Sequence, residues 1–308
     1  MKLEMSPLRP LASPAASGFA VPTGVLGAAF VLLWCTGYPA GKIALLHAAP
    51  FTLLLVRFGS AGLLYAVLAL LGSAVWPDRR AAMHSAVVGA LSLALQFGGV
   101  YLAVALGINV GFAALVIGTM PIVTALLGRF IGESVRPLQW FGFGLGFAGV
   151  ALVVSDRLGM GADGASAGAY VALICGLLGI SVGTLYQKRF GSALDLRSGL
   201  TIQHLAACVL LLPLAWHEGF RIDGTPAFFA SIGWLIVVNS LAGFALFFVL
   251  LRRGAASKVA ALFFLMPPVT AVLDFAVLDE PLTVLKMLGF AVAAFGVYLG
   301  TRTAIRKN

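Results

Sequence analysis

Long apolar stretches alternate along the chain with short segments that hold most of the charged residues. A helix that crosses a bilayer needs about 20 largely apolar residues. The apolar positions run on continuously and do not alternate with polar ones, which indicates helices and not the strands of a β-barrel. The pattern predicts ten spans, at residues 24–46, 51–72, 85–105, 109–129, 137–155, 167–188, 198–216, 228–251, 255–278 and 282–301.

The composition supports a membrane protein. Of 308 residues, 61% are hydrophobic and 10% are charged, whereas a soluble chain has about 25% charged residues. The cysteines, Cys35, Cys175 and Cys208, all fall inside predicted spans. They are therefore interpreted as small apolar residues and not as a disulfide or metal-binding set.

A segment of the chain occurs twice. The letters MPIVTA at 120–125 match MPPVTA at 266–271, with an offset of 267 − 121 = 146, and Arg57 meets Gln203 at the same offset. After a one-residue insertion, Gly142 meets Gly289 at an offset of 147. Two homologous halves in a hydrophobic chain are typical of transporters.

The repeat divides the chain into two units of five spans. The predicted organisation is a flexible tail (1–23), a first repeat (24–155), a linker (156–166), a second repeat (167–301) and a cytoplasmic tail (302–308). Because five is odd, the second unit enters the membrane from the opposite side, and the repeats are inverted. The predicted fold class is an all-α membrane protein of ten transmembrane helices.

The basic residues predict the orientation. If the N-terminus is cytoplasmic, fifteen of the 20 Lys and Arg residues fall on the cytoplasmic side. This bias follows the positive-inside rule and predicts that both termini are cytoplasmic. It also attributes the net charge of +9 to topology, so no nucleic-acid partner is predicted. The first apolar run is longer than that of a signal peptide, so we expect it to be retained. The five basic residues on the other side are Lys42, Arg57, Arg157, Arg221 and Lys286.

Patterns that resemble cofactor-binding motifs occur in the sequence, but their surroundings do not fit such a role. The G-x-G-x-x-G pattern at 144–149 lies inside an apolar span with no preceding strand, which excludes a dinucleotide site. No catalytic constellation or metal-ligand set occurs in or beside the predicted spans. The sequence therefore predicts no enzyme activity, no metal and no cofactor. Pairs of glycines four residues apart, as at 142–146 and 296–300, are interpreted as sites of close helix packing.

Several of these features together resemble a known family. They are the segment Trp34–Lys42, Arg57, the run Phe247–Arg253 followed by Gly-Ala-Ala-Ser, the mid-span proline, the loop glutamates Glu133 and Glu280, and the closing G-x6-G-V of each repeat. In this order, from about Gly24 to Gly300, they resemble the EamA-type branch of the drug/metabolite transporter (DMT) superfamily. The resemblance implies ten helices in inverted repeats that export metabolites, often amino acids, across the bacterial inner membrane. Aromatic amino-acid exporters look similar, but no motif separates them from sugar or drug exporters. Asp274 departs from the family, which usually has a small apolar residue there.

Polar, aromatic and methionine side chains near the helix centres are candidates for a substrate cavity. Trp34 and Tyr38 are four residues apart and share a helix face. A lining of aromatic rings, methionine and a few amide or hydroxyl groups suits amphipathic solutes. The alternative is that these side chains only pack or hydrogen-bond between helices. The predicted cavity residues are Trp34, Tyr38, Gln96, Tyr101, Thr119, Met120, Ser181, Thr184, Asn239 and Met266.

Two prolines are candidates for hinge or gating positions. Pro121 and Pro267 each lie about twelve residues into a span, near the bilayer midplane at 1.5 Å per residue. Proline removes one helix hydrogen bond and frees a carbonyl. Matching kinks at this depth are typical of a transport site, and the alternative is a simple packing kink.

Four ionisable residues are candidates for binding a substrate carboxylate or a proton. Lys42 and Arg57 either extend to the outer membrane face or attract a carboxylate. Asp274 is an acid within an apolar run, where acids are often functional, although its position near a span end also fits interface placement. His204 is the other proton candidate, with a structural hydrogen-bonding role as the alternative.

The sequence as a whole predicts a secondary transporter in the bacterial inner membrane. We expect it to export small metabolites, foremost amino acids including aromatic and apolar ones, by alternating access with facilitated diffusion or proton coupling. The alternatives are a sugar-conjugate or drug exporter and, more remotely, an intramembrane enzyme or a channel, for which the catalytic set or filter is missing. The expected partners are a small-molecule solute and membrane lipid, with the monomer as the functional unit.

Overall fold

The computed structural model describes residues 21–108, 110–158, 165–191, 193–254, 256–278 and 282–301. Within these ranges the chain forms ten helices long and apolar enough to cross a membrane, which confirms the predicted number. They are α1 (Thr23–Leu45), α2 (Pro50–Leu71), α3 (Arg79–Ala105), α4 (Phe112–Ile131), α5 (Pro137–Ser155), α6 (Ala167–Gly191), α7 (Leu196–His217), α8 (Pro226–Arg253), α9 (Ala256–Leu273) and α10 (Val284–Thr301). Residues 1–20 and 302–308 of the predicted tails, Glu280 and residues 159–164 of the predicted linker lie outside the described residues.

The helices begin at residues suited to that position. Side-chain oxygens of Asp78, Ser166 and Thr225 accept hydrogen bonds from backbone N–H groups at the starts of α3, α6 and α8. Such N-caps satisfy donors that have no partner inside the helix. Pro50 and Pro226 occupy first-turn positions, where the missing N–H of proline has no cost.

An even number of crossings puts the start of α1 and the end of α10 on the same side of the bundle. We call that side the terminal face and the opposite side the distal face. The distal face also has the β-bridge between Ala48, which follows α1, and Ile222, which precedes α8.

Helix pairing follows the inverted repeat. Pairs of helices that pack against each other include α1 with α8, α2 with α7, α3 with α6, α4 with α9 and α5 with α10, and α7 also packs on α3. Exchanging the two halves converts helices α1–α5 into α6–α10, in order, and α6–α10 into α1–α5. The pairs α2–α7, α4–α9 and α5–α10 are unchanged by this exchange. The same exchange converts α1–α8 into α3–α6, so the packing has the pseudo-two-fold symmetry of an inverted repeat.

The α5–α10 pair packs backbone against backbone at glycines. A Cβ atom added to Gly149 would lie 2.4 Å from the backbone N of Ala293, and one on Gly296 would lie 2.4 Å from the backbone N of Gly146. These distances are far inside van der Waals contact. Of the glycines predicted to serve packing, Gly142 and Gly296 do so, with added Cβ atoms 2.6 and 2.4 Å from backbone N atoms of the facing helix, because only a missing side chain permits this approach.

Three of the helices are interrupted halfway along. α1 turns at Thr36. α4 is interrupted at Gly118 and Thr119, and α9 passes through a 3₁₀ segment, Leu262–Leu265. Both of the latter interruptions end at the Met-Pro pairs of the repeat, where proline cannot donate the helix hydrogen bond.

π-Helical segments interrupt α3 at Ala90–Leu95 and α8 at Leu235–Gly243, and a third forms the end of α6 at Gln187–Gly191. Subtracting the repeat offset from the centre of the second, 239 − 146 = 93, gives a position inside the first. Both halves therefore have the same irregularity at the same depth, and π-bulges frequently mark functional sites.

Candidate functional site

A cavity of about 410 Å³ lies between the two halves. Its mouth is lined by residues at the distal ends of their helices, including Leu45, Pro50, Ala105 and Val154. From there the cavity extends to Trp34, halfway along α1. The cavity is therefore open to the distal face and reaches the middle of the bundle.

Most of the predicted site residues line this cavity. Six predicted cavity residues, two predicted charged groups and one predicted hinge proline are among its walls: Trp34, Tyr38, Gln96, Tyr101, Asn239, Met266, Lys42, Arg57 and Pro267. Sequence reasoning missed Phe97, Phe263, Thr270 and Lys286, which also line it. Thr270 lies three residues after Pro267 and shares its helix face, so helical spacing was a usable signal for it.

The other predicted cavity residues lie outside the cavity lining. Thr119 donates its hydroxyl to the carbonyl of Val116, and Thr184 donates to Ile180, so both bond to their own helix. Met120 and Ser181 are fully buried. These four side chains are missing from the cavity lining because the helical register points them away from it.

The remaining predicted groups also lie outside the lining. His204 is fully buried among aromatic rings, and its Nδ1 is 2.9 Å from the carbonyl of Leu200. Pro121 is buried at the break in α4. The helical segment Met266–Leu278 contains Asp274, but the side chain of Asp274 lies outside the described residues.

Arg57 is the central charged group of the cavity. It is only 4% exposed, so it does not extend to the membrane face as one interpretation of the sequence expected. Its Nε donates to Ser240 Oγ at 2.9 Å, and its guanidinium carbon lies 4.9 Å from the centre of the Phe97 ring. No carboxylate in the described part of the chain forms an ion pair with it. A buried guanidinium with this environment retains the capacity to bind an anion.

Asn239 joins the π-helical segment of α8 to the turn in α1. Its Nδ2 donates to the carbonyls of Leu33 at 2.7 Å and Trp34 at 3.2 Å. A Cβ on Gly37 would lie 2.6 Å from this nitrogen, so glycine is required for the contact. The bonds fix the amide orientation and leave Oδ1 buried without a partner.

Three polar atoms of the lining residues are buried acceptors without a hydrogen-bond partner. They are Gln96 Oε1, Asn239 Oδ1 and Thr270 Oγ1. An orphaned buried polar atom in a native protein calls for a ligand, ion or water. The charged side chains described in the lining, Lys42, Arg57 and Lys286, are all basic. The cavity therefore offers positive charge together with neutral acceptors.

Aromatic rings close the cavity toward the terminal face. Phe30 and Phe247 lie beyond the cavity and are fully buried, with ring centres 5.5 Å apart. Trp34 and Phe263 lie above them and line the cavity, with ring centres 5.8 Å apart. We call these four residues the aromatic plug. The conformation is thus open on one face and closed on the other.

Two glutamates each cap the N-terminus of a helix in the opposite half of the protein. Glu133, after α4, accepts hydrogen bonds from the backbone N–H groups of Ala256 at 2.7 Å and Ser257 at 3.1 Å, at the start of α9 on the terminal face. Glu218, after α7, accepts from the backbone N–H groups of Phe51 and Thr52 on the distal face. Glu133 lies just before the last helix of its own half, and its carboxylate caps a helix of the other half.

Within the described ranges, no cluster of His, Cys, Asp and Glu side chains could hold a metal ion.

Comparison with solved structures supports the architecture. A crystal structure superposes with a TM-score of 0.75, at 20% identity, covering 91% of this chain and 96% of that one. At this identity the likeness shows the fold alone.

Curated relatives match nearly the whole chain. An uncharacterized inner membrane transporter, YedA of Escherichia coli strain K12, is 28% identical over 281 residues, 90% of each chain. The uncharacterized transporter YvbV of Bacillus subtilis strain 168 is 29% identical, covering 92% of this chain and 93% of its own. A probable amino-acid metabolite efflux pump of E. coli K12 is 24% identical, covering 90% of this chain and 93% of its own.

The family model of the EamA-like transporters matches twice, at residues 22–155 and 167–302. The two matches contain the two sets of five helices. With its ten apolar helices the chain is a multi-pass protein of the bacterial inner membrane. The chain belongs to the EamA-like transporter family.

Proposed function

We propose that the protein exports amino acids, including aromatic and apolar ones, by alternating access. The observation that carries this proposal is the buried, cavity-lining Arg57, which has no carboxylate partner in the described part of the chain and shares its cavity with neutral acceptors that also lack partners. A zwitterion matches this arrangement because it brings one negative and one positive group. A cationic drug would place its charge beside a buried cation.

The lining suggests how an amino acid is held. The carboxylate binds the terminal nitrogens of Arg57, whose Nε is already bonded to Ser240. The ammonium donates to the free oxygens of Gln96, Asn239 and Thr270. The side chain lies on the aromatic plug at the floor, where apolar rings stabilise it by excluding water.

The interruptions in α4 and α9 are the proposed hinges of the transport cycle. Pro121 and Pro267 withhold hydrogen bonds from the carbonyls four residues earlier, Ile117 and Phe263, and both of these residues line the cavity. A helix interrupted at its centre bends at low cost. We propose that bending at these two positions opens and closes the two faces. Transport follows the solute gradient or is coupled to protons through Asp274 or His204.

The name of one relative agrees with this substrate class. The relative named as a probable amino-acid metabolite efflux pump is 24% identical to this chain. The substrate class therefore rests mainly on the chemistry of the cavity.

The test is solute exchange in proteoliposomes with amino acids, sugars and cationic drugs, with and without a pH gradient. We expect saturable amino-acid exchange. Losing a charge-assisted hydrogen bond costs about 1.5–3 kcal/mol, so Arg57→Gln should weaken binding by about 10- to 150-fold. Arg189→Gln, a control on the exposed end of α6, should behave as the native protein. Equal exchange by native protein and Arg57→Gln, or saturable transport of sugars or cations only, would contradict the proposal.

A further inference from the structure

A second, closed pocket lies on the terminal face beneath the connection between α6 and α7. Gln187 and Gln203 line it and are buried, 3% and 2% exposed. Gln203 Nε2 donates to Gln187 Oε1 at 3.1 Å, while Gln203 Oε1 has no partner. The pocket has no room for a water-sized molecule. Polar side chains are thus buried at a place where the packing leaves no space for a solute in this conformation.

The repeat offset of 146 maps residues that line this pocket onto residues that line the distal cavity. Subtracting 146 converts Gln187 into position 41, Gly191 into 45, Leu196 into 50 and Gln203 into 57. Positions 41, 45, 50 and 57 all line the distal cavity. The closed pocket is therefore the pseudo-symmetry counterpart of the open one, with a neutral glutamine where the cavity has Arg57.

Hydrogen bonds from basic side chains close the mouth of this pocket. Arg252, at the end of α8, donates to the carbonyl of Leu194 in the connection between α6 and α7. Lys188 Nζ donates to the carbonyl of Leu251 at 2.6 Å. Both bonds join α8 to the α6–α7 region, so the mouth opens only when they break.

We propose that the pocket between Gln187 and Gln203 is the terminal-side vestibule of the transport pathway and that the NH2 groups of its two amides donate to the carboxylate of the solute there, in place of the hydrogen bonds that they donate in this conformation. The vestibule follows from the symmetry of the two pockets, whereas the carboxylate rests on the proposed function. Neutral amides hold a carboxylate less tightly than a guanidinium does. The vestibule is thus a low-affinity counterpart of the Arg57 site.

The first test measures access and needs no solute. Gly199 lines the pocket, and a Cβ there would meet its nearest atoms at 3.9 Å, so Gly199→Cys fits without strain. It is combined with alanine at the three native cysteines, and its labelling by a membrane-impermeant thiol reagent is followed from the terminal face. If the cysteine-free protein does not fold, Gly199→Cys in the native background is compared with the native protein.

Weakening the closing bonds should raise the labelling rate. Adding Arg252→Ala should speed labelling of Gly199→Cys about 3- to 10-fold, as expected for loss of a partly exposed charge-assisted bond. Arg189→Ala removes the same charge near the same mouth and should change nothing. A bulky maleimide attached to Ala105→Cys at the distal mouth should hold that face open and suppress labelling of Gly199→Cys. Equal rates in the Arg252 and Arg189 variants, or labelling that the distal maleimide does not suppress, would overturn the vestibule.

The second test concerns the amides. For L-phenylalanine presented from the terminal face, Gln203→Leu should raise KM about 10-fold and leave KM from the distal face unchanged. An equal change on both faces, or none, would overturn the role of the amides. If the native protein exchanges no amino acid while the labelling results hold, the proposed substrate class fails and the vestibule stands.

Discussion

Replacing single glycines of α5 by alanine should separate packing from helix propensity. In Gly149→Ala the new Cβ would lie 2.4 Å from the backbone N of Ala293 and 2.6 Å from the carbonyl oxygen of Gly289. Ordinary contact begins at 3.4 Å, so α10 must withdraw by 3.4 − 2.4 = 1.0 Å. In Gly144→Ala, on the same helix, the new Cβ meets nothing within 4 Å.

The two substitutions should change the free energy of unfolding in opposite directions. Overpacking costs about 1–3 kcal/mol, and the upper value applies to Gly149→Ala because both contacts are with backbone atoms that cannot rotate away. Alanine gains up to about 1 kcal/mol over glycine in a helix. We therefore expect Gly149→Ala to lower the free energy of unfolding by about 2 kcal/mol and Gly144→Ala to raise it by up to about 1 kcal/mol.

Reversible unfolding in mixed micelles, followed by circular dichroism, measures this difference. Gly289→Ala affects the same contact from the other helix, since its Cβ would lie 2.7 Å from the carbonyl oxygen of Gly149. Because one withdrawal of α10 relieves both clashes, the double variant should cost less than the sum of the single ones. Equal stabilities of the Gly149 and Gly144 variants would refute the close approach of α5 and α10.

Further predictions concern gating and the terminal face. Glu133→Gln removes a charge-assisted cap and should shift the protein toward the terminal-open state about 5-fold or more, measured as thiol access from that face. Pro121→Ala and Pro267→Ala should slow exchange in proteoliposomes without reducing membrane insertion, and full rates in both would contradict their role as hinges. The hydrogen bonds from Arg197 hold the pKa of the Asp195 carboxyl below its usual value of 3.8. Its stabilisation is therefore complete above pH 3.8 and is lost as the pH falls through the lowered pKa. The difference in melting temperature between the native protein and Asp195→Asn should disappear in that acidic range.

The sequence predicts the number of helices well because crossing a membrane imposes a length and an apolar composition on each of them. The observed helix ends differ from the predicted ones where polar residues extend a helix beyond the bilayer core. α3, predicted from residue 85, begins at Arg79 because Asp78 caps it there.

The side of each helix that faces the cavity is much harder to predict from the sequence. Lipid is as apolar as the protein interior, so no amphipathic pattern fixes the rotation of a helix about its axis. Ser181 and Asn239 look equivalent in the sequence, yet only Asn239 lines the cavity. The π-helical segment that contains Asn239 changes the helical register, and its apolar sequence contains no signal for that change. By contrast, Trp34 and Tyr38 lie on opposite sides of the turn in α1 and both line the cavity.

The aromatic plug also determines where the membrane potential falls. Water in the cavity brings the potential of the distal side down to Trp34, so the field is concentrated across the rings and the helix ends beneath them. Each elementary charge moved through that layer requires or releases about 2.3 kcal/mol per 100 mV. A zwitterion crosses with no net electrical work, and its exchange should be independent of voltage. A solute with a net charge would make the same protein electrogenic.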